Sequence, residues 1–170
     1  MRKMSKIMNK VFIGVGSNLG DRTSYLGFAK KELLCVVGLK DPHYSPVYET
    51  EPVAVEGSPF LNAVWSFEAD LSPLDLLEKI QEIETKANRR RNKPNEARTL
   101  DLDILFYGDQ IIREPGMILP HPRLHERAFV LVPLCDLAPG FVHPVLKKTI
   151  RVLLNELSAK GKTQGVKAVL

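Results

Sequence analysis

The chain has 170 residues, 44% of them apolar and 26% charged, with a net charge of +4. That is enough for one domain with a full core and too few for two comfortable ones. It excludes a disordered or collagen-like polymer, and no apolar run approaches the ~20 residues a membrane helix needs. The first ten residues, MRKMSKIMNK, are basic, and no signal-peptide core follows them; they are expected to be a flexible tail. Cys35 and Cys135 lie far apart without a C-x-x-C pair, which points to two idle thiols in a reducing cytoplasm rather than a disulfide framework or a zinc ribbon.

In chain order, Val11 to Val15 is a short β run ending in G-V-G-S-N-L-G-D (14–21). Its Gly and Asn residues mark a tight turn, and Ser17, Asn18 or Asp21 can cap the helix expected from about Arg22 to Val37, with Gly38 as its stop. Gly14, Gly16 and Gly20 nearly spell a dinucleotide fingerprint, but Leu19 stands where the third Gly belongs, and no G-K-[ST] follows. Ser45 to Thr50 reads as a second strand, and residues 53–59 as a loop. Phe60 to Leu71 is a long alternating strand, with Leu61, Ala63, Trp65, Phe67 and Ala69 on one face and Phe60, Asn62, Val64, Ser66 and Glu68 on the other. Ser72-Pro73 opens a helix with Asp75 in its first turn, and Leu74, Leu77, Ile80 and Glu84 form its stripe, with Leu76 and Ile83 beside it, to an end near Asn88.

An Arg-rich loop comes next, then R-T-L-D-L-D-I-L-F (98–106), a strand in which Leu100, Leu102, Ile104 and Phe106 alternate with Asp101, Asp103 and Leu105. A turn at Tyr107 to Gln110 leads into a short strand at Ile111-Ile112. Short helices are expected near Pro122 to Arg127, Phe129 to Leu137 and Thr149 to Ser158, with a loose tail over 161–170. The β-α-β-β-α-β order is that of an α+β, ferredoxin-like core, a mostly antiparallel sheet with helices packed on it plus C-terminal additions. One domain over 11–160 follows.

Asp101 and Asp103 share one strand face, about 6–7 Å apart along the backbone. Two carboxylates on a rigid element can grip a hard divalent cation, and equally can be a strand's wet face. Between Glu84 and Arg98 stand six basic residues (Lys86, Arg89, Arg90, Arg91, Lys93, Arg98) against two acids, a surplus equal to the net charge of the whole chain. Arginine's planar fork matches phosphate oxygens, so aspartates for a metal beside arginines for a polyphosphate suit a Mg–nucleotide. Arg89 to Arg91 are also what a solvated helix end carries. Asn62, in a strand beside aromatics, is either a wet-face residue or a reader of a flat heterocycle's edge. His121 and His125 flank Pro122 without a third ligand, which argues against zinc.

R-T-L-D-L-D-I-L-F (98–106) and L-P-H-P-R-L-H-E-R-A-F-V-L-V-P-L-C-D-L-A-P (119–139) together resemble the hydroxymethyl-dihydropterin pyrophosphokinase family of folate biosynthesis. I-G-V-G-S-N-L-G (13–20), Y-E-T-E-P-V (48–53) and F-L-N-A-V (60–64) fit in the same order, so the resemblance spans about residues 11–158. It implies transfer of pyrophosphate from ATP to the pterin hydroxymethyl group, with release of AMP. It implies two Mg²⁺ held by Asp101 and Asp103, and ATP contacts from Glu84, Arg89, Arg91, Arg98, Ile104, His121 and Arg127. It places the pterin between Phe60 and Phe129, with Asn62, Thr50, Val53 and Gly16 around it. Arg89 and Arg91 join the aspartates as the catalytic set. The implied partners are small molecules, with no nucleic acid and no membrane, and the chain is expected to act as a monomer.

The loop 92–98 departs from the family's Trp and G-P-R pattern: it reads N-K-P-N-E-A-R, with Asn95 nearest the Trp position, and the single Trp is Trp65. Glu51 stands where Pro is frequent, Phe60 where Tyr is common, and Pro122 where an aromatic can follow His121. The Arg-rich loop and the loop after Thr50 are expected to move and close on substrates. A metal-dependent phosphohydrolase, or a nucleic-acid-binding module on a similar sheet, remains the alternative from residues alone.

Overall fold

The middle of the sheet is β1 (Asn9–Ser17), whose alternation sends Val11, Ile13 and Val15 to one face and Phe12 to the other. In the computed structural model, which describes residues 7–51, 58–87 and 99–170, β1 pairs antiparallel along its whole length with β4 (Phe60–Ala69). Its other side pairs antiparallel with β5 (Asp101–Tyr107). Two short strands lie against the far side of β4. They are β2 (Leu39–Tyr44) and β3 (Tyr48–Thr50), and β3 is followed outward by β8 (Val166–Ala168). The order is β5-β1-β4-β3-β8, with β2 also on β4, and each of these pairings is antiparallel. A separate hairpin joins β6 (Ile112–Glu114) to β7 (Met117–Leu119).

Helices cover both faces. On one, α1 (Arg22–Leu34) and α2 (Pro73–Lys86) bring Leu26, Ala29, Leu33, Leu76, Ile80 and Ile83 down onto Val11, Ile13, Trp65 and Phe67. On the other, α3 (Ala128–Leu137), α4 (Ile150–Ala159) and a 3-10 turn (Leu124–Glu126) bury Leu124, Leu131, Leu134, Ile150, Leu153 and Leu157 against Phe12, Val64, Leu105 and Phe106. The helix starts follow local chemistry. The Asp21 carboxylate accepts the Ser24 N–H at 3.0 Å, the Ser72 hydroxyl accepts that of Asp75 at 3.1 Å ahead of Pro73, and the Thr149 hydroxyl accepts that of Val152 at 3.2 Å. The bond from the Ser24 backbone also holds the Asp21 carboxyl below its ordinary range.

The structure corrects several expectations. α1 ends at Leu34, because the chain turns through residues 35–38 to start a strand; Gly38 makes that turn at φ +99, with Asp70 so close that a Cβ would strike it. That strand, β2, is polar and was not legible as one: it borrows its order from pairing with β4. The alternation over 98–106 also breaks. Ile13 faces Ile104 while Phe12 faces Phe106, so Leu105 is an extra residue in a β-bulge. Leu105 and Phe106 therefore both enter the α3/α4 core, and Tyr107 swings to the other. Phe12, Phe106 and Phe141 then cluster with ring centroids 4.9–6.1 Å apart. On α2, Leu74 is exposed, and Leu76, Ile80, Ile83 and Glu84 make the buried stripe.

At the ends of the chain, β1 begins at Asn9, inside the expected N-terminal tail. The expected loose tail over 161–170 contains β8, in register with β3 (Tyr48 opposite Ala168, Thr50 opposite Val166). The Val169 N–H donates to the Val47 carbonyl at 2.8 Å, and the Val47 N–H to that of Leu170 at 2.8 Å. Among the described residues, no helix is long and apolar enough to cross a membrane.

His143 lies beneath the phenylalanine cluster, its ring edge-on to Phe106 at 5.3 Å. Its Nδ1 accepts the N–H groups of Val145 and Leu146 at 3.2 and 3.1 Å. Burial, aided by nearby His125, pushes its pKa down to about 4. The folded protein thus binds this proton later than the unfolded chain, whose His titrates near 6.5. The stabilisation from a neutral His143 is complete above about pH 6.5 and is lost as pH falls toward 4. Urea unfolding between pH 7.5 and 4.5 should show this loss, and His143→Gln should flatten the slope. Separately, deleting residues 165–170 should speed amide hydrogen exchange at Tyr48, Glu49 and Thr50, because β3 loses its outer partner.

Candidate active site

The register of four strands builds the site. In an antiparallel pair, residues directly opposite point to the same face. Gly16 of β1 lies opposite Asp101 of β5 on one side and opposite Asn62 of β4 on the other, and Asn62 lies opposite Tyr48 of β3. Asp101, Gly16, Asn62 and Tyr48 therefore form one row across the α3/α4 face. The next row is Asp103, Gly14 and Val64. Asp101 and Asn62 are two strand spacings apart, about 10 Å. Between them stands glycine, and a Cβ on Gly16 would come within 3.1 Å of the Asn62 side-chain oxygen. The missing side chain lets that amide lie over β1.

Asn62 and Thr50 are both 7% exposed, and the Asn62 amide donates to the Thr50 hydroxyl at 2.7 Å. This locks the amide in one orientation. The bland alternative, a wet-face asparagine, does not fit that burial. Phe60 begins β4 and Phe129 sits in the first turn of α3, both half-buried, and the Arg127 guanidinium carbon lies 5.7 Å from the centre of the Phe129 ring.

Glu84 is a polar side chain in the core, 2% exposed. Its Oε1 accepts the Leu102 N–H at 2.8 Å. Leu102 is the residue between the two aspartates, so α2 grips β5 from beneath at the point where the carboxylates emerge above. Ile104 is buried with Leu102 in the α1/α2 core, which leaves only its main chain to meet a ligand on the aspartate face. His121 hangs from the Leu105 carbonyl by its backbone N–H at 3.0 Å, and its Nδ1 accepts the Arg123 N–H at 3.3 Å. Burial, then the charge of Arg127, lowers its pKa to about 4 despite the opposing pull of Asp101. The ring is neutral at pH 7, with its proton on Nε2.

Two aspartates are hard oxygen donors on one face, which fits Mg²⁺, an ion commonly held by one or two carboxylates with substrate phosphates and water completing its shell. Among the described residues there is no group of three or more His, Cys, Asp or Glu placed to hold an ion. Arg89, Arg91, Arg98 and Val53, and with them both expected closing loops, lie outside the described residues.

Two side-chain pairs with structural work at this site were not singled out from sequence. Arg22, the first residue of α1, donates to the Glu49 carboxylate at 3.0 Å and to the Pro59 carbonyl at 2.5 Å, joining the chain on either side of 52–57. Tyr48 donates its hydroxyl to the carboxylate of Asp136. A helix-start Arg or a strand Tyr carries no local signal of such long-range partners.

A family model described as 7,8-dihydro-6-hydroxymethylpterin-pyrophosphokinase (HPPK) matches residues 12–139. The chain belongs to the HPPK family. The Bacillus subtilis 2-amino-4-hydroxy-6-hydroxymethyldihydropteridine pyrophosphokinase is 40% identical over 130 residues, 76% of this chain and 78% of that protein. The Aquifex aeolicus protein of the same name is 34% identical over 154 residues, 90% of this chain and 95% of that one. The Schizosaccharomyces pombe folic acid synthesis protein fol1 is 35% identical over 163 residues, 95% of this chain, but the match takes in only 22% of that much longer protein. The chain thus spans about a fifth of the fungal relatives it matches. In fold, it is similar to a crystal structure of Plasmodium falciparum HPPK-DHPS, with a TM-score of 0.79 and 17% identity, over 98% of this chain and 50% of that one.

The HPPK match runs from β1 to the end of α3, and so contains every residue of the aspartate and asparagine rows. It stops before α4 and β8, which lie behind α3 and β3. Glu84→Ala should lower unfolding free energy by about 2–3 kcal/mol, since it empties a buried site and orphans the Leu102 N–H. Glu84→Gln keeps an acceptor oxygen and should cost clearly less. Urea denaturation of the two variants beside the parent checks both.

Proposed function

We propose that this chain transfers pyrophosphate from ATP to the hydroxymethyl group of 6-hydroxymethyl-7,8-dihydropterin and releases AMP, as an enzyme of folate biosynthesis. The observation that carries this reading is the single row Asp101–Gly16–Asn62, which sets an acidic grip and a buried amide side by side on one sheet face. Membership of the HPPK family and the names of the bacterial relatives support it. The strand order supports the finer reading of the sheet as a ferredoxin-like core, in one domain over about 11–160.

Asn62, oriented by Thr50, pairs with the polar edge of the pterin, while Phe60 and Phe129 stack on its two faces. Gly16 lets the ring lie close to β1. Asp101 and Asp103 hold two Mg²⁺, whose chemistry is to neutralise and align the polyphosphate. His121 donates from its neutral Nε2 to a phosphate oxygen, and Arg127 supplies fixed positive charge beside it. Arg89, Arg91 and Arg98 join the phosphate contacts, Val53 the pterin pocket, and Glu84 holds β5 behind the nucleotide. In the transfer, the pterin hydroxymethyl oxygen forms a bond to the β-phosphorus of ATP. The bond from that phosphorus to the oxygen bridging it to the α-phosphate breaks, AMP departs with that oxygen, and the hydroxyl proton passes to solvent. The chain acts as a cytoplasmic monomer on small molecules.

Incubating the protein with Mg²⁺, ATP and the hydroxymethyl-dihydropterin should yield AMP and the pterin diphosphate in equal amounts; ADP or free phosphate as the sole nucleotide-derived product refutes pyrophosphoryl transfer. Asp103→Ala should lower turnover at least a thousandfold with an unchanged circular dichroism spectrum. Activity in that variant near the parent's would remove the aspartates from the mechanism.

A further inference from the structure

The hydrogen bond between Tyr48 and Asp136 has no part in the chemistry above, yet it joins the two walls of the acceptor pocket. Tyr48 lies on β3, two residues before Thr50, the partner of Asn62, and directly opposite Asn62 itself. Asp136 lies in the last turn of α3, seven residues after Phe129. Residues seven apart on a helix share a face, two turns from one another. One wall is therefore β3 with Thr50, the other is α3 with Phe129, and the bond ties them at the end away from the aspartates.

Two further features make this tie matter. Pro133 stands inside α3, four residues after Phe129, and has no N–H to give the Phe129 carbonyl. The helix's own ladder is thus interrupted between its first turn and the turn that carries Asp136. On the other wall, β3 has three residues and is held from outside by β8, an element beyond the HPPK match. A three-residue strand has few ladder bonds with which to fix its own position. Burial and the adjacent Asp136 carboxylate together raise the Tyr48 pKa to about 12, so the hydroxyl remains a donor throughout the physiological range.

We propose that Tyr48 and Asp136 are positioning residues for the acceptor, setting the spacing between the Thr50–Asn62 edge and the Phe129 ring without touching the reacting atoms. This rests on the reading of that pocket as the pterin site. A phenol-to-carboxylate bond is charge-assisted, and its loss should fall on the pocket it spans.

Steady-state kinetics on the full chain test it. Tyr48→Phe removes the hydroxyl alone, and the ring still packs. It should raise the KM for the hydroxymethyl-dihydropterin about fivefold to tenfold, leave the KM for ATP within about twofold of the parent, and shift the thermal midpoint little. Asp136→Ala should reproduce this, Asp136→Asn, which keeps an acceptor oxygen, should recover most of the loss, and the double variant Tyr48→Phe/Asp136→Ala should be no worse than either single one. Equal changes in both KM values, or a fall in melting temperature with both unchanged, mark a merely structural bond and overturn the proposal. So do additive effects in the double variant. If the parent protein forms AMP and the variants match it in every constant, the tie alone fails. If the parent forms no AMP from ATP and the pterin, the reading of the site fails and the inference falls with it.

Discussion

The bond from the Leu102 N–H to the buried carboxylate of Glu84 anchors β5, the strand that carries Asp101 and Asp103. Among the described residues β5 lies at the edge of the sheet, paired on one side with β1. An edge strand has unsatisfied backbone groups on its outer side, and these must find a partner or water. Here one of them meets a helix side chain that arrives through the core. The carboxylate holds the backbone between Asp101 and Asp103. From that anchor the register runs inward. β1 carries glycine where it faces each aspartate, and β4 presents Val64 and Asn62 on the far side of the same glycines. The acidic and amide ends of the site are therefore placed by main-chain ladders, the stiffest elements a protein has.

The same sheet keeps structure and chemistry on different levels of one face. Past the bulge at Leu105, β5 turns Phe106 into a cluster with Phe12 and Phe141, and α3 and α4 pack down onto it. Before the bulge, the face is open enough for half-exposed aspartates. The bulge is the divide. Without the extra residue, Phe106 would fall on the α1/α2 face, and the α3 end of the molecule would lose its central ring. Burial also sets the charge state of the histidines that border this core: both His121 and His143 are pushed down to about 4 and stay neutral at pH 7. The positive charge beside His121 is that of Arg127 and Arg123.

Much of this was legible in the residues because it is local. Alternation gave β4 both of its faces, the S-P-x-D start gave α2, and the D-x-D spacing put two carboxylates on one side of a strand. Asn62 falls on one face of β4 and Asp101 and Asp103 on one face of β5, as the alternation predicts. What failed to show was set by partners distant in sequence. β2 is a run of mostly exposed polar residues that becomes a strand because β4 offers it an edge. β8 looked like a tail because three residues have no periodicity to read. Glu84 falls on a helix stripe and the resemblance implies a nucleotide contact for it, but nothing near it in the chain announces that its partner is the backbone of Leu102.

The sequence by itself determined the family, since its motifs depend on which side chains occur and at what spacing. Carboxylates two apart on a strand, arginines beside them, and five motifs in one order are properties of the chain and survive any packing. Only the tertiary structure decided the site's construction: that Asp101, Gly16 and Asn62 share a row, that Thr50 orients Asn62, and that Tyr48 and Asp136 join its two walls. Those relations join residues 12 to 88 positions apart along the chain. They arise from the order in which strands assemble, and a linear pattern carries no record of which strand will become the neighbour of which.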